Sequence, residues 1–343
     1  MKKSTTILNA SSALACAVIF SVMISCGGDK LVQKSHIFYR MDTVTEITIS
    51  VPRSFDVQKL WEDIDTYLAV SERRFSVTHS DSEVRVINQR ESDSVAVGEE
   101  LAEMISASLK YGQELQGAFD ITILPIKELW GLGENSFASA RSIPDSALVQ
   151  ETLEKVNYKG VSLSKSMDSV YFASSELKID VGGVAKGFVV EELQKLLEKE
   201  GVNDYLIVAG GDIAVSGRKK DGTPWVIGIQ HPIDRSAMIG RVAIDSGAIV
   251  TSGDYERYRV VDGIKYHHIF DPKTGYSCNK NRSVTVWTQR AIDADILSTG
   301  LFCMDKAEIK AYVEANSDIE CLVVDANGDI YVSEGWKDKV ELF

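Results

Sequence analysis

Between residues 56 and 74 the apolar side chains Leu60, Trp61, Ile64, Tyr67 and Leu68 recur at helical spacing, which predicts an amphipathic helix ending before Phe75. Ahead of it, residues 37–51 alternate and are rich in Thr and Ile, so they read as a strand pair turning around Met41, Asp42 and Thr43. Residues 99–115 predict a second amphipathic helix that stops at Gly117, and Pro125 opens a further helical stretch through Trp130. Residues 145–180 read as a short helix and then a hairpin ending in Leu177, Lys178, Ile179 and Asp180. Gly182 and Gly183 open a helix over about 184–200, with Leu193, Leu196 and Leu197 on its inner face. Strands are expected at 205–208, 225–229, 242–249, 257–261, 283–287, 319–324 and 330–332, with a helix around Asp295. No repeat or long linker interrupts this pattern after residue 36, so a single α+β domain is expected.

The first residues follow a different rule. Lys2 and Lys3 precede an apolar run over 13–24 and then Ser25-Cys26-Gly27-Gly28, the pattern of a secretory signal with a lipoprotein cleavage site. The run is short for a membrane span, so the expected division is a signal at 1–25, a lipidated tether at 26–36 with its anchor on Cys26, and one domain over 37–343. That places the mature protein in the bacterial cell envelope, held on a membrane and facing the periplasm or the outside. Cys16 leaves with the signal, and Cys278, Cys303 and Cys321 are too few and too unevenly spaced for a disulfide framework or a zinc site. They read as mostly buried thiols, with room for one disulfide.

Composition narrows the class further. With 44% hydrophobic residues in a chain of 343, a sizeable core is available. The net charge of −13 argues against attraction to nucleic acid, so an anionic ligand needs local help from a metal or from backbone amides.

Two segments offer that chemistry. Tyr266-His267-His268-Ile269-Phe270-Asp271-Pro272-Lys273-Thr274-Gly275 supplies imidazoles on a strand ending in a turn, and neighbouring strand positions point His267 and His268 to opposite faces. Asp293-Ala294-Asp295-Ile296-Leu297-Ser298-Thr299-Gly300 sets Asp295 and Thr299 four residues apart on one helical face, a carboxylate and a hydroxyl suited to Mg²⁺. Capping of a helix start explains one of the two aspartates cheaply. Asp180-Val181-Gly182-Gly183-Val184-Ala185-Lys186-Gly187 lies where a strand is expected to meet a helix, a place where amides and carbonyls lie open to a phosphate or a metal; its glycine spacing does not fit a dinucleotide fold. Ala209-Gly210-Gly211-Asp212 reads as a hairpin turn.

Taken in order, these segments resemble the ApbE family of FAD:protein FMN transferases over nearly the whole mature length. The matching stretches are Phe75-Ser76 with Asp81-Ser82-Glu83; Gly117-Ala118-Phe119-Asp120-Ile121-Thr122 with Pro125 and Leu129-Trp130-Gly131; the 180–187 segment; Ala209-Gly210-Gly211-Asp212; Pro224-Trp225; Thr251-Ser252-Gly253-Asp254-Tyr255; the 268–275 segment; and Asp295 with Thr299. The resemblance implies an α+β fold with mixed, largely antiparallel sheets and packed helices, T-fold-like in architecture. It also implies a reaction in which FMN passes from FAD to a threonine or serine hydroxyl of an acceptor flavoprotein and AMP leaves. Carried over residue by residue, it implies Mg²⁺ held by Asp295, Thr299 and the Gly183 carbonyl. FAD contacts would come from Met41, Thr78, Ala118, Phe119, Asp120, Asp180, Lys186 and Ile269, and His268 would serve as base. Where the family often has Gly-Thr after the methionine, this chain has Asp42-Thr43, and Gly183 stands where Ala or Thr is frequent. Two alternatives use the same residues. One is an FAD pyrophosphatase in which water replaces the acceptor hydroxyl; the other is an FAD-binding lipoprotein without turnover.

Overall fold

The computed structural model describes residues 30–41, 43–77, 79–131 and 143–343. The leader, Cys26, Thr78 and Asp42 lie outside the described residues.

Alternating side chains build a central antiparallel sheet. Its strands in spatial order are β1 (Leu31–Arg40), β2 (Thr43–Pro52), β6 (Tyr205–Ala209), β7 (Asp212–Ser216), β10 (Ser246–Gly253), β13 (Asn281–Thr288), β14 (Glu320–Asp325) and β15 (Ile330–Val332). Period-two alternation sends successive residues to opposite faces, so each strand feeds two cores. Ile207, Val250 and Val323 face a large core shared with helices, while Leu206, Ile249 and Leu322 face a smaller one. The smaller core is closed by a three-stranded sheet of β8 (Trp225–Gln230), β9 (Met238–Ile244) and β16 (Val340–Leu342), through Trp225, Ile227, Val242 and Val340.

The helical layer comprises α1 (Gln58–Phe75), α2 (Glu83–Asn88), α3 (Glu99–Glu114), α4 (Leu124–Leu129), α5 (Ser146–Leu153), α6 (Ala185–Lys199), α7 (Ala291–Phe302) and α8 (Lys306–Ala315). A third small sheet joins β3 (Ser94–Ala96), β5 (Ser169–Phe172) and β4 (Val161–Leu163), and β11 (Tyr258–Val261) pairs with β12 (Ile264–His267) as a separate hairpin. α7 shows no one-sided apolar stripe and is almost wholly buried, as expected of a helix packed between α6, α3 and the sheet.

Several expectations change. The sheets are antiparallel at every pairing among the described residues rather than mixed. The strand expected at 242–249 is two strands in different sheets, because the chain turns at Asp245 and leaves the small sheet for the large one. β1 reaches back to Leu31, since period-two pairing with β2 continues to Pro52. Residues 177–180 are irregular rather than the end of a hairpin; the Ile179 amide and carbonyl are taken by the Asn88 side chain at 2.7 and 2.8 Å, and the Asp180 amide by the Ile121 carbonyl at 2.8 Å. β7, β16, α2 and α8 add elements, the last announced by a capping box between Asp305 and Glu308. One disulfide forms: Cys278 and Cys303 are joined with Cα atoms 5.4 Å apart, which leaves Cys321 as the buried free thiol. No helix among the described residues is long and apolar enough to cross a membrane.

Candidate active site

A carboxylate in the middle of an almost wholly buried helix needs partners, and Asp295 on α7 finds them on α6. Its Oδ2 accepts the Gly187 amide at 2.9 Å, and its Oδ1 lies 3.4 Å from Lys186 Nζ. The helices meet this closely because residue 187 has no side chain: a Cβ there would stand 2.7 Å from the Asp295 Cβ and collide with the Ala291 carbonyl. Lys186 Nζ makes its shorter contact, 2.6 Å, with Asp212 Oδ2. Asp212 follows the Gly210-Gly211 turn, whose φ values of 57° and 99° admit glycine readily. The lysine therefore stands between two carboxylates that are each 4% exposed. Burial pushes the Asp212 carboxyl up to about 7, with Asp295 adding to the rise and Lys186 opposing it. Burial works to lower the Lys186 ammonium, yet the charges of Asp212 and Asp295 outweigh it and its pKa rises.

Thr299 lies one turn beyond Asp295, with Oγ1 3.4 Å from Ser252 Oγ, and Ser252 also meets Ser298 Oγ at 2.9 Å. Gly183 closes this corner. A Cβ on it would lie 3.6 Å from Thr299 Oγ1 and 3.1 Å from the Phe119 ring. The fold thus gathers Phe119, Gly183, Lys186, Asp295 and Thr299, which are far apart in sequence. Among the described residues no group of three His, Cys, Asp or Glu is arranged to hold a metal. What the corner offers instead is one carboxylate, one hydroxyl and the backbone at Gly183. These are hard oxygen donors beside a buried cluster of two carboxylates and one ammonium, and they fit a small divalent cation such as Mg²⁺.

Asp180 sits across the turn from Gly183. Its Oδ1 accepts the Gly182 amide at 2.7 Å, and its Oδ2 forms an ion pair with Lys127 of α4. Asp120 is buried and spends its oxygens within the protein, accepting from Thr122 N at 2.7 Å, Thr122 Oγ1 at 2.6 Å and the Tyr158 amide at 2.9 Å. Burial still raises its carboxyl above the ordinary range, against the pull of those bonds. Ala118 is buried beside it. Met41 occupies the tip of the β1–β2 hairpin with φ of 57°, its amide donating to Glu72 Oε1 at 2.6 Å. The neighbouring Thr43 fills the space above Gly210.

The two histidines separate where β12 ends. His267 ends β12 inside the core, with Nε2 2.6 Å from the Cys278 carbonyl and Nδ1 accepting the Ile269 amide at 3.2 Å, so its imidazole is a structural, neutral one. His268 lies just past the strand, with Nδ1 3.3 Å from the Arg257 carbonyl. Donation from Nδ1 leaves the lone pair on Nε2. Burial first, and the Lys127 charge second, push its pKa down to about 3. Ile269, next along, is buried. Asp293 lies in the first turn of α7, where a carboxylate is favoured, and hydrogen-bonds Tyr111.

Three residues at this site escape a reading of the sequence. Asp212 looks like the end of an ordinary hairpin turn, though an aspartate directly after Gly-Gly was the available signal. Ser252 stood in a matched segment without a role. Lys127 had no signal, being one polar position in a short helix.

Comparison with known proteins agrees with this geometry. The ApbE family model matches residues 41–323. The FAD:protein FMN transferase of Vibrio cholerae serotype O1 is 30% identical over 328 residues, covering 92% of this chain and 96% of the relative. The crystal structure of the ApbE protein from Thermotoga maritima superposes with a TM-score of 0.83 at 32% identity, covering 90% of this chain and 99% of the other. The flavin transferase ApbE from Vibrio cholerae gives 0.82 at 27% identity, with the same coverage of both chains. With the match spanning sheet, helices and the gathered corner alike, this chain belongs to the ApbE family.

Proposed function

We infer that this chain is an FAD:protein FMN transferase, acting on FAD and on an acceptor flavoprotein. The observation that carries the reading is the corner where Asp295 and Thr299 of α7 meet Gly183, beside a buried cluster of two carboxylates and one lysine, in a chain matched to its relatives along most of their length.

Asp295, Thr299 and the Gly183 carbonyl would hold Mg²⁺, which supplies neutralisation of the charge that develops on the pyrophosphate. The chain's own residues account for the rest. Phe119 and Ala118 would give the flavin nucleotide an apolar wall beside the corner, and Met41, Asp180 and Ile269 would contact it as well. Lys186 is poised to exchange one of its carboxylate partners for a phosphate oxygen, and Asp120 holds its loop in shape through Thr122 and Tyr158. Nε2 of His268 takes the proton of the acceptor's threonine or serine hydroxyl as that oxygen attacks the FMN phosphorus. The bond from that phosphorus to the bridging oxygen breaks, and AMP leaves with the bridging oxygen. Burial and the Lys127 charge lower its pKa, which keeps the imidazole uncharged across the neutral range.

The Cys278–Cys303 disulfide suits an oxidising compartment, which supports the reading of the leader as an export signal and of Cys26 as a lipid anchor in the cell envelope. Metabolic labelling with palmitate, comparing wild type with Cys26→Ser, tests the anchor; equal labelling would remove it.

The activity is tested by incubating the purified chain with FAD and Mg²⁺, with and without a threonine-bearing acceptor domain, and following products by mass spectrometry. Gain of one FMN by the acceptor with release of AMP, lost on chelation, is expected. Free FMN and AMP without labelling of any acceptor would make the chain a pyrophosphatase, and FAD left intact would leave a binding protein.

A further inference from the structure

α4 is a short helix whose C-cap residue, Trp130, packs its ring 5.2 Å from that of Tyr266 and 5.6 Å from that of Phe270. Tyr266 in β12 and Phe270 beyond it thus set the segment that carries His268 against α4. Lys127 precedes Trp130 by three positions, one helical turn, and so rises from the same side of α4. From there its Nζ reaches the Asp180 carboxylate and lies 3.3 Å from where a Cβ on Gly182 would be. Its neighbour Glu128 points elsewhere and pairs with Lys178 at 2.8 Å. Lys127 is 22% exposed and Asp180 5%, so the pair is sheltered from solvent.

We propose that Lys127 is a positioning residue for the transfer, its ammonium anchoring Asp180 at the Gly182-Gly183 turn. The proposal rests on the reading of this corner as the transferase site. While its Oδ1 holds the Gly182 amide and its Oδ2 the ammonium, Asp180 stays at the turn, and the backbone leading into Gly183 is held with it.

The test uses the whole chain with Lys127→Met and Lys127→Arg. In the transfer assay K127M loses about tenfold in kcat/KM for FAD, felt in both kcat and KM, and K127R recovers most of it. Wild-type kcat and KM in folded K127M, or a K127R no better than K127M, overturn the proposal. If K127M does not fold, as judged by thermal unfolding, Lys127→Gln takes its place with the same expected outcomes. A wild-type chain that transfers no FMN would remove the transferase reading instead, and FAD binding by wild type, K127M and K127R, read by flavin fluorescence, would then decide the effect of Lys127: weaker binding in K127M restored in K127R upholds it, equal binding in all three overturns it.

Discussion

Two clusters in this protein contain the same charges, one cation between two carboxylates, and serve opposite purposes. At the junction of α1, α2 and α3, Arg74 bonds Glu83 Oε2 at 2.7 Å through Nε and also meets Glu100; the three side chains are 31%, 19% and 30% exposed. A planar guanidinium with several fixed donors can satisfy two carboxylates at once, and nearby water absorbs the surplus negative charge. In the Lys186 cluster the two aspartates are almost wholly buried, and one ammonium makes one short and one long contact. The first arrangement is complete and holds three helices together. The second leaves negative charge where water does not reach, and a buried deficit of that kind is a place for another cation. Charge counting alone would not have told them apart; burial and donor geometry do.

The contrast can be broken most sharply at Asp295. Asp295→Ala is expected to lower transfer by about a thousandfold or more while the protein remains folded, since it removes a proposed metal ligand. Mass spectrometry of the acceptor and a melting curve on the same sample measure both. A melt so depressed that no folded protein remains at 25 °C would show the cluster to be structural after all. Asp212→Asn should act next most strongly. It leaves Lys186 to pair with Asp295 alone, so the Mg²⁺ concentration for half-maximal transfer should rise by about tenfold. An unchanged Mg²⁺ titration would separate Asp212 from the metal corner. Arg74→Met should do the reverse of both, costing about 1–2 kcal/mol of stability with transfer at 25 °C preserved. A denaturant curve beside an activity assay decides that; lost activity in a stable R74M would erase the distinction.

The smallest expected effect is in pH. An acid raised from its ordinary 3.8 to about 7 in the folded state contributes stability below the unfolded value and loses it as pH rises through the folded one. Asp212 should therefore make the protein in chelator less stable as pH goes from about 5 to about 8, and D212N should lose less over that interval. Melting curves that are parallel for the two proteins would place the proton elsewhere.

Much of this was legible before the structure. Helical spacing located α1, α3 and α6 to within two residues of their ends, because each buries one face of an amphipathic pattern. The pair Asp295 and Thr299 could be read from an i, i+4 spacing, while His267 and His268 part because β12 ends between them. The turn at Asp245 had a signal that the reading of 242–249 as one strand passed over: Asp245-Ser246-Gly247 interrupts the strand-forming residues on either side. α2 is six residues long, too short for periodicity, and only its Ser82 cap marks it. The partners Lys127, Asp212 and Ser252 depend on long-range approach of segments and leave no local pattern to read. Thr78 and Cys26 lie outside the described residues.

Gly187 carries no functional group, yet it decides whether the functional groups meet. Any side chain at that position would push against the Ala291 carbonyl and the Asp295 Cβ, both on the backbone framework of α7, and the helices would have to part. In a saturation scan scored only by activity, position 187 would look as intolerant as Asp295, while alanine there would neither remove a ligand nor add a charge. Intolerance at such a site measures the width of a gap between helices, and a variant map of this protein has to be read with that in mind before any residue on it is named a catalyst.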